Sequence, residues 1–318
     1  MTVHTEILLI AIAVSIACAI PGVFLVLRRM SMMADAITHT VFLGIVLAFF
    51  MTEDLNSPFL LVGATLVGVG TVWLTEMIHN TGLVNEDASI GIIFPLLFSI
   101  AIILVSLYSG NAHLDVDTAL LGEIAFAPFD RWIVNGTDLG PISLWISLGV
   151  ALINLILVML FYKELQLSTF DPLLAGLFGF MPVLIHYVLM TMVSLTVVAS
   201  FQAVGAILVI GLMIGPAAIA YLWTDSVKAM LTSSIIIGII CAVVGTEVAF
   251  TMDVSIAGSI ATTIGIALII AVIATPKTGY IATYRRQRHL RRHYRETMML
   301  CHIYTHMDTP VSYTHLRA

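Results

Sequence analysis

The sequence has little charge. Of its 318 residues, 10% are Asp, Glu, Lys or Arg, against about a quarter in a soluble globular domain. Hydrophobic residues make up 60%, and the mean hydropathy is +1.06. A chain so composed cannot keep its apolar surface from water. That excludes a soluble secreted enzyme, a nucleic-acid binder and a disordered hub, and it leaves a polytopic membrane protein.

Lysine is scarcer still. Lys163, Lys228 and Lys277 are the whole supply, and none of them follows a glycine. A phosphate-binding loop of the form G-x-x-x-x-G-K-[ST] needs that lysine beside its glycine-rich backbone, so the chain has no ATP site of its own. It is expected to be a transport subunit and not an enzyme, with no permanently bound cofactor. Cysteine is also rare, and the three present (Cys18, Cys241, Cys301) show no paired spacing. Neither a disulfide framework nor a thiolate metal site is indicated. The sixteen methionines are scattered, a pattern of packing and not of a thioether pathway.

What the sequence has in quantity is long apolar runs. A bilayer core about 30 Å thick takes roughly 20 residues of helix. Such runs fall near 6–27, 32–51, 58–78, 88–108, 142–162, 181–200, 201–223, 229–250 and 255–274. The expected fold is therefore all-α, a bundle of about nine transmembrane helices, with eight to ten allowed. The margin comes from 181–200 and 201–223, which abut with almost no polar break, so that one of them is a candidate half-span.

Basic residues orient the bundle. Arg28 and Arg29 close the first run, Lys163 follows the fifth, and Arg285, Arg286, Arg288, Arg291, Arg292 and Arg295 crowd the tail. The opposite loops carry Glu53, Asp54, Asp115, Asp117, Glu123, Asp130 and Asp138. Nine spans with the N-terminus outside and the C-terminus in the cytoplasm satisfy this pattern. The first run is no cleavable signal, because its basic pair sits at the wrong end. Residues 1–280 form the membrane domain and 281–318 a basic cytoplasmic tail. The final Val-Ser-Tyr-Thr-His-Leu-Arg-Ala (311–318) reads as vector-derived and not as a native terminus, which makes His302, His306 and His315 poor ligand candidates.

Two loops are longer than connectors require. Residues 109–141 face outside and include Leu-Leu-Gly-Glu-Ile-Ala-Phe (120–126), read as a short interfacial helix. His113, Asp115 and Asp117 there form an acidic patch, more often a solvated loop than a cation trap. Residues 163–180 face the cytoplasm and combine a helix-start signal (Ser168, Thr169, Asp171, with Pro172 in the first turn) with unprotected Leu and Phe. This is the pattern of a docking surface.

Ionisable residues inside a membrane need a reason, since each costs about 2.5–3.5 kcal/mol at mid-depth even on a lenient scale. Asp35 and His39 lie within Met-Ala-Asp-Ala-Ile-Thr-His-Thr-Val (33–41). Their i, i+4 spacing puts both on one helix face, and His39 lies about 15 Å beyond Arg29 by helix rise. A carboxylate and an imidazole suit a first-row divalent metal such as Mn, Fe or Zn. The bland alternative is an Asp–His bond that merely holds two helices together. Glu247 and Asp253 flank the outer end of the eighth span. Glu247 reads as the better buried, and either is a candidate to complete a metal site or form an outer gate. His186 reads as a lone, satisfied core histidine, and Glu76 and His79 as headgroup-level residues at the cytoplasmic end of the third span.

With no ATP site in the chain, either a separate subunit supplies ATP or an ion gradient drives transport. The docking surface at 163–180 favours the first. Gradient-driven carriers tend to show related halves with matching broken spans, and no convincing internal repeat is present. The alternative that remains is a gradient-driven divalent cation transporter in which Asp35 and His39 relay protons or metal.

Four stretches then resemble one family together. Val-Leu-Arg-Arg-Met-Ser-Met-Met-Ala-Asp-Ala-Ile-Thr-His-Thr-Val-Phe-Leu-Gly (26–44), Asn-Glu-Asp-Ala-Ser-Ile-Gly-Ile-Ile-Phe (85–94), the Lys-Glu-Leu and Phe-Asp-Pro segment of 163–175, and Gln-Ala-Val-Gly-Ala-Ile-Leu-Val-Ile-Gly-Leu-Met-Ile-Gly-Pro-Ala-Ala-Ile-Ala (202–220) are similar, in order, to blocks of the permease subunit of bacterial manganese, zinc and iron ATP-binding-cassette importers. The resemblance implies a helical fold like that of vitamin-B12-type importers and a site in the bacterial cytoplasmic membrane. It implies three partners: a cytoplasmic ATP-binding subunit, an extracytoplasmic metal-binding protein and a second permease chain. It places Asp35 and His39 on the family's metal-coordinating pair and Phe170 and Asp171 in its ATPase-coupling segment. Asp253 falls on an acidic position before the last span, with Glu247 a weaker carry-over. The span-two block looks nearest the manganese and iron permeases. Ala34 and Thr38 stand where the family has Gly and Ser, small changes that leave both donors in place.

Overall fold

In the computed structural model, residues 2–53, 57, 59–108, 124–134, 137–275 and 280–306 are described. His113, Asp115, Asp117 and Glu123 of the outer acidic loop lie outside these residues, as do Asp54 and the final 307–318 segment. Two compact units are present, one ending at Leu268 and one beginning at Ile269.

In the first unit, α1 (Val3–Leu27), α2 (Ser31–Thr52), α3 (Phe59–His79) and α4 (Glu86–Tyr108) come before the outer loop. After it come α5 (Ile142–Leu160), α6 (Tyr162–Phe170), α7 (Pro172–Leu177), α8 (Pro182–Val204), α9 (Ala206–Trp223), α10 (Val227–Met252) and α11 (Ile256–Ala274), which runs on into the second unit. Among the described residues nine helices are long and apolar enough to cross a membrane: α1 to α5 and α8 to α11. The second unit carries the 27-residue α12 (Tyr280–His306), which displays Arg288, Arg291 and Arg295 on its exposed surface.

The abutting apolar runs resolve into two full helices. Gly205, at φ +78° and ψ 166°, separates α8 from α9 as a one-residue break. Only glycine takes that backbone conformation without a Cβ clash. Its N–H still bonds Phe201 O and its carbonyl still accepts from Val209, so the break strands neither group.

At the centre lies α1, buried nearly all round and packed on α5, α8, α9 and α10. A second group forms where α2 packs on α3 and α4. The approach of α2 to α3 is backbone-close: a Cβ on Gly44 would stand 2.4 Å from Ala64 Cα. Small residues at such crossings let membrane helices gain van der Waals contact that lipid cannot supply.

Of the expected interfacial helix at 120–126 in the outer loop, residues 120–123 lie outside the described residues. The loop's described part turns at 124–126, makes a 3₁₀ turn at Ala127–Phe129, and then forms an antiparallel hairpin of β1 (Arg131–Val134) and β2 (Thr137–Pro141). Pro128 lacks the N–H that would extend a helix, and Arg131 is held by partners on β2 and on α1. It bonds Asp138 at close range and holds both carboxylate oxygens of buried Glu6 at 2.9 Å. A Gly140 N–H and the Arg131 guanidinium hold the Asp138 carboxyl below its ordinary range, and the Asp138 bond raises Arg131. The contact also seats the N-terminal end of α1 beside this loop.

Candidate functional site

Asp35 and His39 project from one face of α2, with Oδ1 and Nε2 3.5 Å apart. Both side chains are about one-third exposed, at 38% and 32%. Their neighbours Ala34, Ala36, Thr38 and Thr40 turn inward and are buried, and the two threonines bond back to the carbonyls of Ala34 and Ala36. The two metal-type donors thus keep partial access between buried neighbours. The His39 ring lies 5.6 Å from Phe94 and 6.0 Å from Phe98 of α4, which walls the imidazole on one side.

Two donors do not make a closed site, since a structural zinc site takes four ligands. Among the described residues no three His, Cys, Asp or Glu side chains converge. Glu247 and Asp253 therefore do not join Asp35 and His39 within one chain. Glu247 is not the buried residue its apolar surroundings led us to expect. It is 52% exposed, faces His4 of α1 at 3.4 Å, and His4 in turn lies against Phe250. Depth along the helix sets its exposure: five residues before the end of α10, it has reached the rim. Asp253 caps α10 in the left-handed conformation at φ 54°. It borders a cavity of about 550 Å³ lined also by Ile124, Val204, Leu208, Phe250 and Gly258.

The coupling segment folds as two short helices and not one. Asp171 interrupts them and caps the second, its Oδ1 accepting from Leu174 N at 2.9 Å, with Pro172 at the first helical position. Phe170, Leu173, Leu177 and Phe178 are left largely exposed, Leu173 and Leu177 by more than four-fifths.

A polar cluster at the same end escaped the sequence reading. Arg28, at the C-terminus of α1, donates to Ser168 Oγ at 2.8 Å and Thr169 Oγ1 at 3.1 Å on α6. Its guanidinium also lies 3.2 Å from His186 Nδ1 on α8. The opposite nitrogen of His186 meets Glu76 Oε1 at 2.6 Å, and Tyr187 donates to Glu76 Oε2 at 2.6 Å. His186 is thus met from both sides by residues 158 and 110 positions away, while its Nε2, close to Glu76, has no partner in hydrogen-bond geometry. The usable hint was that two adjacent arginines need not both mark topology: Arg29 is exposed and Arg28 half-buried.

Nine apolar helices, with a partly exposed carboxylate–imidazole pair on α2 and exposed apolar side chains on α6 and α7, are the features of a multi-pass membrane permease. Residues 2–275 match the ABC 3 transport family, and the chain belongs to it. The manganese transport system membrane protein MntD of Bacillus subtilis is 43% identical over 88% of this chain and 95% of its own length. The zinc transport system membrane protein TroD of Treponema pallidum is 45% identical over 96% of this chain and 83% of its own. Among solved structures, PsaBC from Streptococcus pneumoniae in complex with Fab has a chain that matches with a TM-score of 0.74. The match is 29% identical and covers 89% of this chain and 96% of that one. The chain is thus a transport component that works with ATP and not with an ion gradient.

Proposed function

We propose that the chain is the membrane permease of an ATP-driven importer of divalent transition metal, Mn(II) first, with Zn(II) or Fe(II) as possible cargo. An extracytoplasmic binding protein delivers the ion to the outer face, where Glu247 and Asp253 attract it. Asp35 and His39 then hold it transiently within the membrane, and a second permease chain supplies further donors. A cytoplasmic ATP-binding subunit docks on Phe170 and Asp171 and drives the inward opening.

The accessible Asp35–His39 pair carries this reading. Oxygen and nitrogen donors suit Mn, Fe and Zn. Conduction needs a site firm enough to fill and weak enough to empty, and two donors per chain meet that need where a closed four-ligand cage does not. The relatives named for manganese and zinc transport support the cargo class. The test is uptake of radioactive Mn(II) by cells expressing Asp35→Ala or His39→Ala at parental level. Each change should abolish ATP-dependent uptake, and uptake surviving both would remove the pair from the pathway.

A further inference from the structure

The Arg28 cluster joins three parts of the permease that the transport reading leaves unconnected. On one side are Ser168 and Thr169, in the turn immediately before Phe170. On the other are His186 and Tyr187 on α8, which grip Glu76 near the C-terminus of α3. Arg28 stands between, and a guanidinium has the fixed fork of donors needed to hold two helices at once.

The bonding order assigns the proton on the imidazole. Nδ1 faces the guanidinium, which only donates, so Nδ1 is the acceptor and the hydrogen sits on Nε2, which lies 2.6 Å from Glu76 Oε1 without hydrogen-bond alignment. A cation on α1, an imidazole on α8 and a carboxylate on α3 thus stand in one line of contacts. Carboxylates and imidazoles around a cavity of about 510 Å³ here would also suit a metal ion. Two observations oppose that. Glu76 Oε2 is already engaged by the Tyr187 hydroxyl, and the fixed charge of Arg28 stands beside the imidazole.

From Glu76 the connection runs on to the helix that carries Asp35 and His39. Five residues back on α3, Thr71 bonds Thr40 of α2 at 2.8 Å, and Thr40 is the neighbour of His39. Ser194 of α8 bonds the Thr65 carbonyl of α3 at 3.0 Å, so α2, α3 and α8 form one tied group. Displacement of α6 by the ATPase would therefore reach α2 through Arg28, and not through the apolar packing alone.

We propose that Arg28 is a positioning residue that, with His186 and Glu76, ties the coupling segment to the helix group carrying Asp35 and His39. The proposal rests on the transport reading above and adds to it the route by which ATP hydrolysis reaches the ion site.

The test uses the full complex with its ATP-binding subunit, reconstituted in lipid vesicles. Mn(II) moved per ATP hydrolysed is measured beside Mn(II) binding in the absence of ATP. His186→Ala and the pair Ser168→Ala with Thr169→Val should each keep Mn(II) binding within about twofold and lower Mn(II) moved per ATP by about tenfold, the span of an ordinary coupling term. Arg28→Lys, a point charge that cannot serve both helices, should fall between parent and Arg28→Ala. A parental ratio of Mn(II) to ATP in the Ser168/Thr169 variant would overturn the proposal, and so would loss of binding in step with transport. The Ser168/Thr169 variant removes only hydroxyl acceptors on α6, so it remains informative if the His186 variant does not fold. Failure of the transport reading itself looks different: the parent complex would then bind no Mn(II), or Asp35→Ala and His39→Ala would still transport it.

Discussion

Thr71 of α3 and Thr40 of α2 meet hydroxyl to hydroxyl at 2.8 Å, both fully buried, one residue from His39. The contact fixes the rotation of the helix that carries Asp35 and His39 against its neighbour. Its own energy is small, because a polar contact between membrane helices averages about 0.6 kcal/mol. The close backbone approach at Gly44 does more to hold the pair, since nothing but backbone stands in the way of an added methyl group.

The two contacts can be ranked by substitution. Thr71→Val should lower stability in detergent by about 0.6 kcal/mol. Gly44→Ala should cost more, about 1–3 kcal/mol, because the helices must separate to admit the methyl. Thermal unfolding of the purified permease measures both. Equal effects would mean that the α2–α3 contact is held by its hydroxyls.

Donor chemistry at His39 gives a sharper test than deletion. A thiolate in place of the imidazole favours softer ions. His39→Cys should therefore keep a metal site while lowering Mn(II) uptake relative to Zn(II). Competition uptake with both ions measures the ratio, and an unchanged ratio would mean that His39 does not touch the cargo.

The outer hairpin should open in acid. The Asp138 carboxyl is held below its ordinary value of 3.8 by the Gly140 N–H and by Arg131. A depressed folded value means that the unfolded hairpin takes up its proton first as pH falls. The stabilisation is therefore present above 3.8 and is lost as pH drops through the lower, folded value. Hydrogen exchange of the amides of residues 131–141 should speed up across that window, beyond the intrinsic rate change. In Asp138→Asn the hairpin should be weakened at neutral pH and lose that part of the acid response.

Much of this fold could be read from local pattern. Apolar run length sufficed for nine helices, and i, i+4 spacing sufficed for the Asp35–His39 pair, because both signals lie within one helix. Asp171 and Pro172 marked a helix start for the same reason. What escaped depends on residues remote in sequence. Arg28, Glu76 and His186 carry no common spacing, so each was assigned from its own surroundings. Glu247 misled because apolar neighbours indicate a membrane helix but not the depth along it. Gly205 resolved the ambiguous pair of spans only once its backbone angle was seen.

Asp171 has two roles that a single deletion would confuse. Its carboxylate caps α7 by accepting from Leu174 N, and its position beside exposed Phe170 puts it on the surface proposed to meet the ATPase. Losing an N-cap costs about 0.5–2 kcal/mol of helix stability, which in a six-residue helix is enough to fray it. Asparagine keeps the capping oxygen but removes the charge, and alanine removes both. If Asp171 acts by shaping α7, Asp171→Asn should support parental ATP-driven uptake and Asp171→Ala should not. If its charge meets the ATPase, both variants should lose uptake. Phe170→Ala leaves the cap intact and should hydrolyse ATP without moving metal. Parental metal movement per ATP in that variant would take Phe170 out of the docking surface and leave α7 to carry it.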